Sequence, residues 1–141
     1  KPNNAYLGEK DFQQLQIVKK LVEIENLPIK IIGCPIVRES SGLAMSSRNK
    51  RLNTDQLNEA IVIYKTLLKV KENFKLLSIS KLNQLVKKKF KNHPSLTLEY
   101  FEIADTETLK TAIYKSKKKK YRGFIACFID GVRLIDNIAL N

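Results

Sequence analysis

The sequence predicts an α/β chain: the end of a parallel, doubly wound sheet over residues 1–37, a loop and hinge over 38–52, and a small α+β domain with an antiparallel sheet over 53–141. Three observations predict it. Before residue 35 an apolar stretch, a segment of helical period and a second apolar stretch follow one another, which is strand, helix, strand. Residues 36–51 then turn to Ser, Gly, Arg and Asn with little apolar periodicity. Near the end, Asp130-Gly131 separates two apolar runs, the pattern of a hairpin whose turn takes positive φ at both central residues.

The first strand is Ala5-Tyr6-Leu7, with Gly8 as a tight turn into a helix that starts near Asp11. Leu15, Val18, Leu21 and Val22 recur at three- and four-residue intervals along it, and Ile17 and Ile24 widen the apolar face. Pro28 closes the helical segment, and residues 29–34 read as a buried strand. Beyond the loop, Asn53 or Thr54 caps a helix with Leu57, Ala60, Ile61, Tyr64, Leu67 and Leu68 on its apolar face. A second helix spans about 80–90, its lysines forming a solvated side. Residues 96–103 alternate as a strand, with Leu96, Leu98 and Tyr100 on one side, and a short helix follows from Thr106. Residues 117–120 are a basic loop, after which 124–129 and 132–138 form the hairpin.

Bulk properties narrow the classes of function. At 141 residues with 43% apolar content, the chain can bury a core or form one small domain plus part of another. No apolar run approaches the roughly 20 residues that span a bilayer, and residues 1–4 lack the apolar stretch of a secretion signal, so the expected address is the cytoplasm. Cys34 and Cys127 lie in apolar runs and read as buried, reduced thiols. His93, before a proline, reads as a loop residue, and one histidine gives the cysteines no metal-ligand spacing. The net charge of +12 invites a nucleic-acid module using residues 87–91 and 117–120. Only five of the 26 basic residues are arginine, the side chain suited to bidentate phosphate contacts, so biased composition is the better account.

Two constellations carry chemistry. Gly8-Glu9-Lys10-Asp11 opens a helix whose free amides and dipole can meet an anion, with Lys10 adding a full charge and Gln14 one turn on beside it. The competing reading is a surface Lys-Asp pair at a helix start. Met45-Ser46-Ser47-Arg48 gathers hydroxyls, loop amides and a guanidinium with no acidic neighbour, which suits a polyphosphate. Its competitor is a polar linker capping the next helix.

"YLGEKDFQQL" at 6–15, "RESSGLAMSSRN" at 38–49 and "RLIDN" at 133–137, in this order and spacing, resemble the signatures of the pantothenate synthetases. Residues 44–49 also resemble the "KMSKS" loop with which related adenylate-forming enzymes clamp ATP. The resemblance implies the carboxy-terminal half of such an enzyme: the end of a Rossmann-like nucleotide-binding domain plus a complete lid. It implies an AMP-forming ligase that joins pantoate to β-alanine through pantoyl adenylate, with ATP as substrate and magnesium assisting. Lys10, Ser46, Ser47 and Arg48 would act at the triphosphate, and Gly8, Glu9, Lys10 and Asp11 would line the nucleotide cleft. Val37 would meet adenine through its backbone, Met45 would border the nucleotide, and Gln14 would orient pantoate. The implied partners are the small substrates, the missing amino-terminal half and a second copy in a homodimer of the complete enzyme. The family's early histidine motif and a further pantoate-binding glutamine have no counterpart here, and Leu7 stands where phenylalanine is usual. Another adenylate-forming ligase or nucleotidyltransferase is the alternative, because a phosphate clamp specifies ATP more than the acceptor.

Overall fold

The structure, a computed structural model, describes residues 2–141. It divides into two compact units, the first ending at Val37 and the second running from Arg38 to Asn141.

In the first unit β1 (Asn4–Gly8) and β2 (Lys30–Cys34) pair in parallel, from Asn4 opposite Lys30 to Gly8 opposite Cys34. A 3-10 turn (Glu9–Asp11) leads from β1 into α1 (Phe12–Ile24). The turn expected to need glycine at position 8 does not use its freedom: φ −69° and ψ 134° are extended backbone open to any residue. At the other end of α1, Asn26 takes a left-handed φ of 49° and the Leu27 amide donates to the Val22 carbonyl at 3.0 Å. That is a left-handed cap, and it stops the helix ahead of Pro28.

Phe12 and Leu15 are buried, whereas Ile17, Leu21 and Ile24 are exposed by half or more, so the unit covers only part of the apolar face expected along α1. Leu15 Cδ2 lies 3.0 Å from where a Cβ on Gly33 would stand, so glycine there lets helix and strand approach closely. Cys34, expected to be buried, is half-buried at the end of the second strand of this two-stranded sheet.

The second unit begins with a loop closed by an isolated antiparallel bridge between Arg38 and Ala44, followed by a 3-10 turn (Ser47–Arg51) inside the segment expected to be irregular. Next come α2 (Thr54–Asn73) and α3 (Ile79–Lys91), then β3 (Leu96–Asp105), β4 (Tyr121–Ile129) and β5 (Val132–Ala139). The sheet is antiparallel in the order β3-β4-β5, and both helices pack on it. Asn53 is the cap of α2, in a reciprocal box with Gln56: the Gln56 amide donates to Asn53 Oδ1 and the Asn53 amide to Gln56 Oε1, each at 2.9 Å. Leu67, Val70, Leu82, Val86, Ile125 and Cys127 form the centre of the core. Asp130 and Gly131 turn the hairpin with φ of 47° and 73°, as their sequence predicts.

Two expectations fail in and just after β3. Its register against β4 shifts between Leu98 and Tyr100, a bulge that changes the face of everything after it. Phe101 and Ile103, rather than Tyr100, therefore join Leu96 and Leu98 against the core. No helix follows from Thr106. The Asp105 carboxylate accepts from the amides of Glu107 (2.9 Å) and Thr108 (3.1 Å), a side-chain turn that competes with helix formation, and Leu109 follows at φ 57°.

Candidate functional site

The expected site residues fall into two groups, one in each unit. Gly8, Glu9, Lys10, Asp11 and Gln14 stand at the amino-terminal end of α1. Asp11 precedes the first α-helical residue without a side-chain capping bond, so its carboxylate does not occupy the first-turn amides. Lys10 is half-buried and Gln14 is exposed one turn further on. Val37 closes the unit with its side chain exposed.

In the second unit, Met45, Ser46, Ser47 and Arg48 occupy one short stretch whose conformation is fixed from both ends. Ser46 caps its own 3-10 turn by accepting from the Arg48 amide at 3.2 Å. Because Asn53 and Gln56 cap α2, the serines are not engaged in that role. Asn49 is buried and donates through Nδ2 to the Ala44 carbonyl at 3.1 Å, folding the stretch back on itself. The Arg48 guanidinium lies exposed, with one donor 3.4 Å from the Arg133 carbonyl on β5. Met45 and Ser47 are exposed beside it. The stretch thus presents Ser47 and a guanidinium to solvent from a backbone that the half-buried Ser46 helps to hold, which is how a polyanion is met with little reorganisation.

Sequence reasoning missed what holds the loop. Arg38 donates in bidentate fashion to Asp136, Nη1 to Oδ2 at 2.7 Å and the other terminal nitrogen, Nη2, to Oδ1 at 3.0 Å. Nη1 also donates to the Gly42 carbonyl at 3.0 Å, and the guanidinium carbon sits 3.8 Å from the centre of the Tyr64 ring. Gly42 has φ of +91°, and a Cβ there would lie 2.4 Å from Tyr64 Cδ1. The only sequence signal was that Arg38 opens one quoted motif and Asp136 lies in another; their pairing spans 98 positions.

The other singled-out residues lie elsewhere. Burial pushes the Cys127 thiol up to about 12, which keeps it protonated and inert. His93 Nδ1 lies 3.2 Å from a Glu59 oxygen that also accepts from the Ser95 hydroxyl. Lys87, Lys88, Lys89 and Lys91 line the exposed side of α3. Among the described residues no group of three or more His, Cys, Asp or Glu stands together, and no helix is long and apolar enough to cross a membrane.

A family model described as pantoate-beta-alanine ligase matches residues 1–139. The chain is 55% identical to the pantothenate synthetase of Christiangramia forsetii over 140 residues, which cover 99% of this chain and 50% of the relative. It is 51% identical to the Flavobacterium psychrophilum pantothenate synthetase, again over 99% of this chain and 49% of the relative. The crystal structure of the Thermus thermophilus pantothenate synthetase superposes with a TM-score of 0.89 at 33% identity, over 98% of this chain and 50% of that one. The Francisella tularensis pantoate-beta-alanine ligase, crystallised with beta-gamma ATP and β-alanine, superposes at 0.67 and 36% identity, over 98% of this chain and 44% of that one. The chain spans about half the length of the curated relatives it matches.

Proposed function

The chain belongs to the pantoate–β-alanine ligase family, and on that premise we propose that it is the carboxy-terminal half of an enzyme that condenses pantoate with β-alanine, consuming ATP. The partly uncovered first unit supports the incompleteness. Parallel sheets normally have both faces covered, yet here two strands and one helix leave Tyr6, Ile17, Leu21 and Ile24 in solvent.

In this reading the pantoate carboxylate attacks the α-phosphorus of ATP and pyrophosphate leaves. The β-alanine amine then attacks the acyl carbon of pantoyl adenylate and AMP leaves. The first step puts negative charge on the bridging oxygen of the departing pyrophosphate. Donors already aimed at that position lower the barrier, because they need not reorganise as the charge develops. Arg48 supplies a guanidinium that can take phosphate oxygens in pairs, Ser46 and Ser47 orient them, and Lys10 adds a further positive charge at the triphosphate. Gly8, Glu9 and Asp11 line the nucleotide cleft, with the Val37 backbone at adenine and Met45 beside it. Gln14 holds pantoate in line with the α-phosphorus, which removes much of the entropic barrier. Magnesium arrives on the triphosphate as part of the substrate, since the donor set here is cationic and hydroxylic and suits phosphate oxygens. The complete enzyme is a homodimer in the same reading.

The observation that carries the reading is the exposed Arg48 guanidinium, 3.4 Å from the Arg133 carbonyl on β5, on a turn that the Ser46 hydroxyl caps. The neighbour from Francisella tularensis, crystallised with beta-gamma ATP and β-alanine, supports ATP as a substrate. The test is pantoate-dependent ATP–pyrophosphate exchange by the full-length ligase carrying this chain. Exchange should require pantoate and fall about 100-fold or more in Arg48→Ala, the loss that follows removal of one transition-state donor. Exchange without pantoate would move the assignment to another adenylate-forming ligase or nucleotidyltransferase, and an unchanged Arg48→Ala rate would remove Arg48 from the clamp.

A further inference from the structure

We propose that Arg38 and Asp136 are positioning residues of the adenylation step, a pair that sets where the phosphate-binding stretch stands and touches no substrate itself. The inference rests on reading residues 45–48 as the phosphate clamp.

The pair joins the start of the loop to the last strand of the sheet. Asp136 is buried on β5, and its carboxylate accepts both terminal nitrogens of Arg38 as well as the Asn137 amide at 2.7 Å. Arg38 in turn reaches the Gly42 carbonyl and stacks on Tyr64. The loop then closes on itself: the Glu39 amide donates to Leu43 O and the Gly42 amide to Glu39 O, each at 2.8 Å, and Ala44 bridges back to Arg38. The exposed stretch starts at Met45, directly after this closed ring. Its far side meets the same strand three residues earlier, where Arg48 lies against the Arg133 carbonyl. Residues 45–47 are therefore a short span between two anchorages on β5, both within 133–137, the motif for which the reaction otherwise has no use.

A buried ion pair is a poor explanation of stability, because desolvating both charges offsets most of their attraction and an apolar pair of similar volume serves as well. What this pair supplies is direction. A planar guanidinium bound bidentately fixes distance and angle together, whereas an ammonium fixes only distance. A clamp that must meet a developing charge needs that definition, since a displacement of about 1 Å in a positioned group costs on the order of 100-fold in rate.

The experiment uses the full-length ligase with Arg38→Lys and, separately, Asp136→Asn. Three quantities are read: pantoate-dependent pyrophosphate exchange, single-turnover attack of β-alanine on supplied pantoyl adenylate, and the thermal melt. Exchange should drop by about 100-fold in each variant. The second step, which releases no pyrophosphate, should stay within about twofold, with a cooperative melt retained. Exchange within about threefold of the unvaried enzyme in Arg38→Lys would overturn the proposal, as would both steps falling by one common factor. Loss of folded protein in both variants would overturn it too, since the pair would then determine the fold. An unvaried enzyme with no exchange at all would bring down the ligase reading, and the role of the pair with it.

Discussion

Replacing Gly42 by alanine should destabilise the second unit far more than the same change at Gly131, although both glycines have positive φ. At Gly131, with φ of +73°, a Cβ meets nothing within 4 Å, so the cost is conformational. A left-handed backbone costs an L-residue roughly 1–2 kcal/mol, less about 0.4–1 recovered because alanine restricts the unfolded chain. At Gly42, with φ of +91°, the new Cβ would also lie 2.4 Å from Tyr64 Cδ1 and 3.0 Å from Cε1. Those separations are well inside the roughly 3.5–4.0 Å at which carbon atoms attract. Tyr64 carries the Arg38 guanidinium against its ring, so moving it disturbs the loop anchorage. Overpacking of this kind adds about 1–3 kcal/mol, for a total of about 2–4 at Gly42 against about 1 at Gly131. For a unit of about 100 residues the larger figure lowers the melting temperature by about 10–20 °C. Thermal and urea unfolding followed by circular dichroism measure both variants. A Gly42→Ala loss no larger than that of Gly131→Ala would refute the packing argument. In the double variant with Tyr64→Ala, most of the excess should disappear, because the clashing ring is gone.

Other consequences are more local. The Lys119 ammonium, 2.8 Å away, and the amides of Thr108 and Glu107 hold the Asp105 carboxyl down at about 2, below its ordinary 3.8. A depressed folded value means that stability is present above the unfolded pKa and is lost as the pH falls through the folded one. The urea midpoint should therefore drop between about pH 4 and pH 2, and drop less steeply over that window in Asp105→Asn, whose side chain does not titrate. Cys127, buried with its thiol raised to about 12, should react with iodoacetamide at pH 8 only as fast as the second unit unfolds, and labelling at the rate of a free thiol would contradict its burial. Asn53→Ala removes one half of the box that starts α2 and should cost about 1 kcal/mol in urea unfolding, within the usual range for a lost cap. A change near zero would mean that Gln56, which also donates to Asp130 at 3.0 Å, holds the helix start alone.

What the sequence determined by itself is whatever depends on neighbours a few residues apart. The helical period of α2 and α3, the cap at Asn53, the turn at Asp130-Gly131 and the strand-helix-strand order before residue 35 are local preferences of the backbone, and they appear where the residues predict them. The three family signatures are local in the same sense, so the family was legible, and the residues proposed for the clamp are those the signatures contain. Tertiary structure decided everything that depends on which distant segment arrives alongside. The bulge after Leu98 takes its meaning from β4, against which the register shifts, and it alone exchanges Tyr100 for Phe101 on the core face. The two-stranded sheet leaves Cys34 and much of α1 less covered than their apolar surroundings suggested. At Asp105 a carboxylate turning back on its own backbone prevailed over a modest helical preference. The anchorage of the clamp was the least legible feature. Its centre is the bidentate contact between Arg38 and Asp136, and a contact between residues 98 positions apart is set by the path of the whole chain between them, which no local pattern encodes.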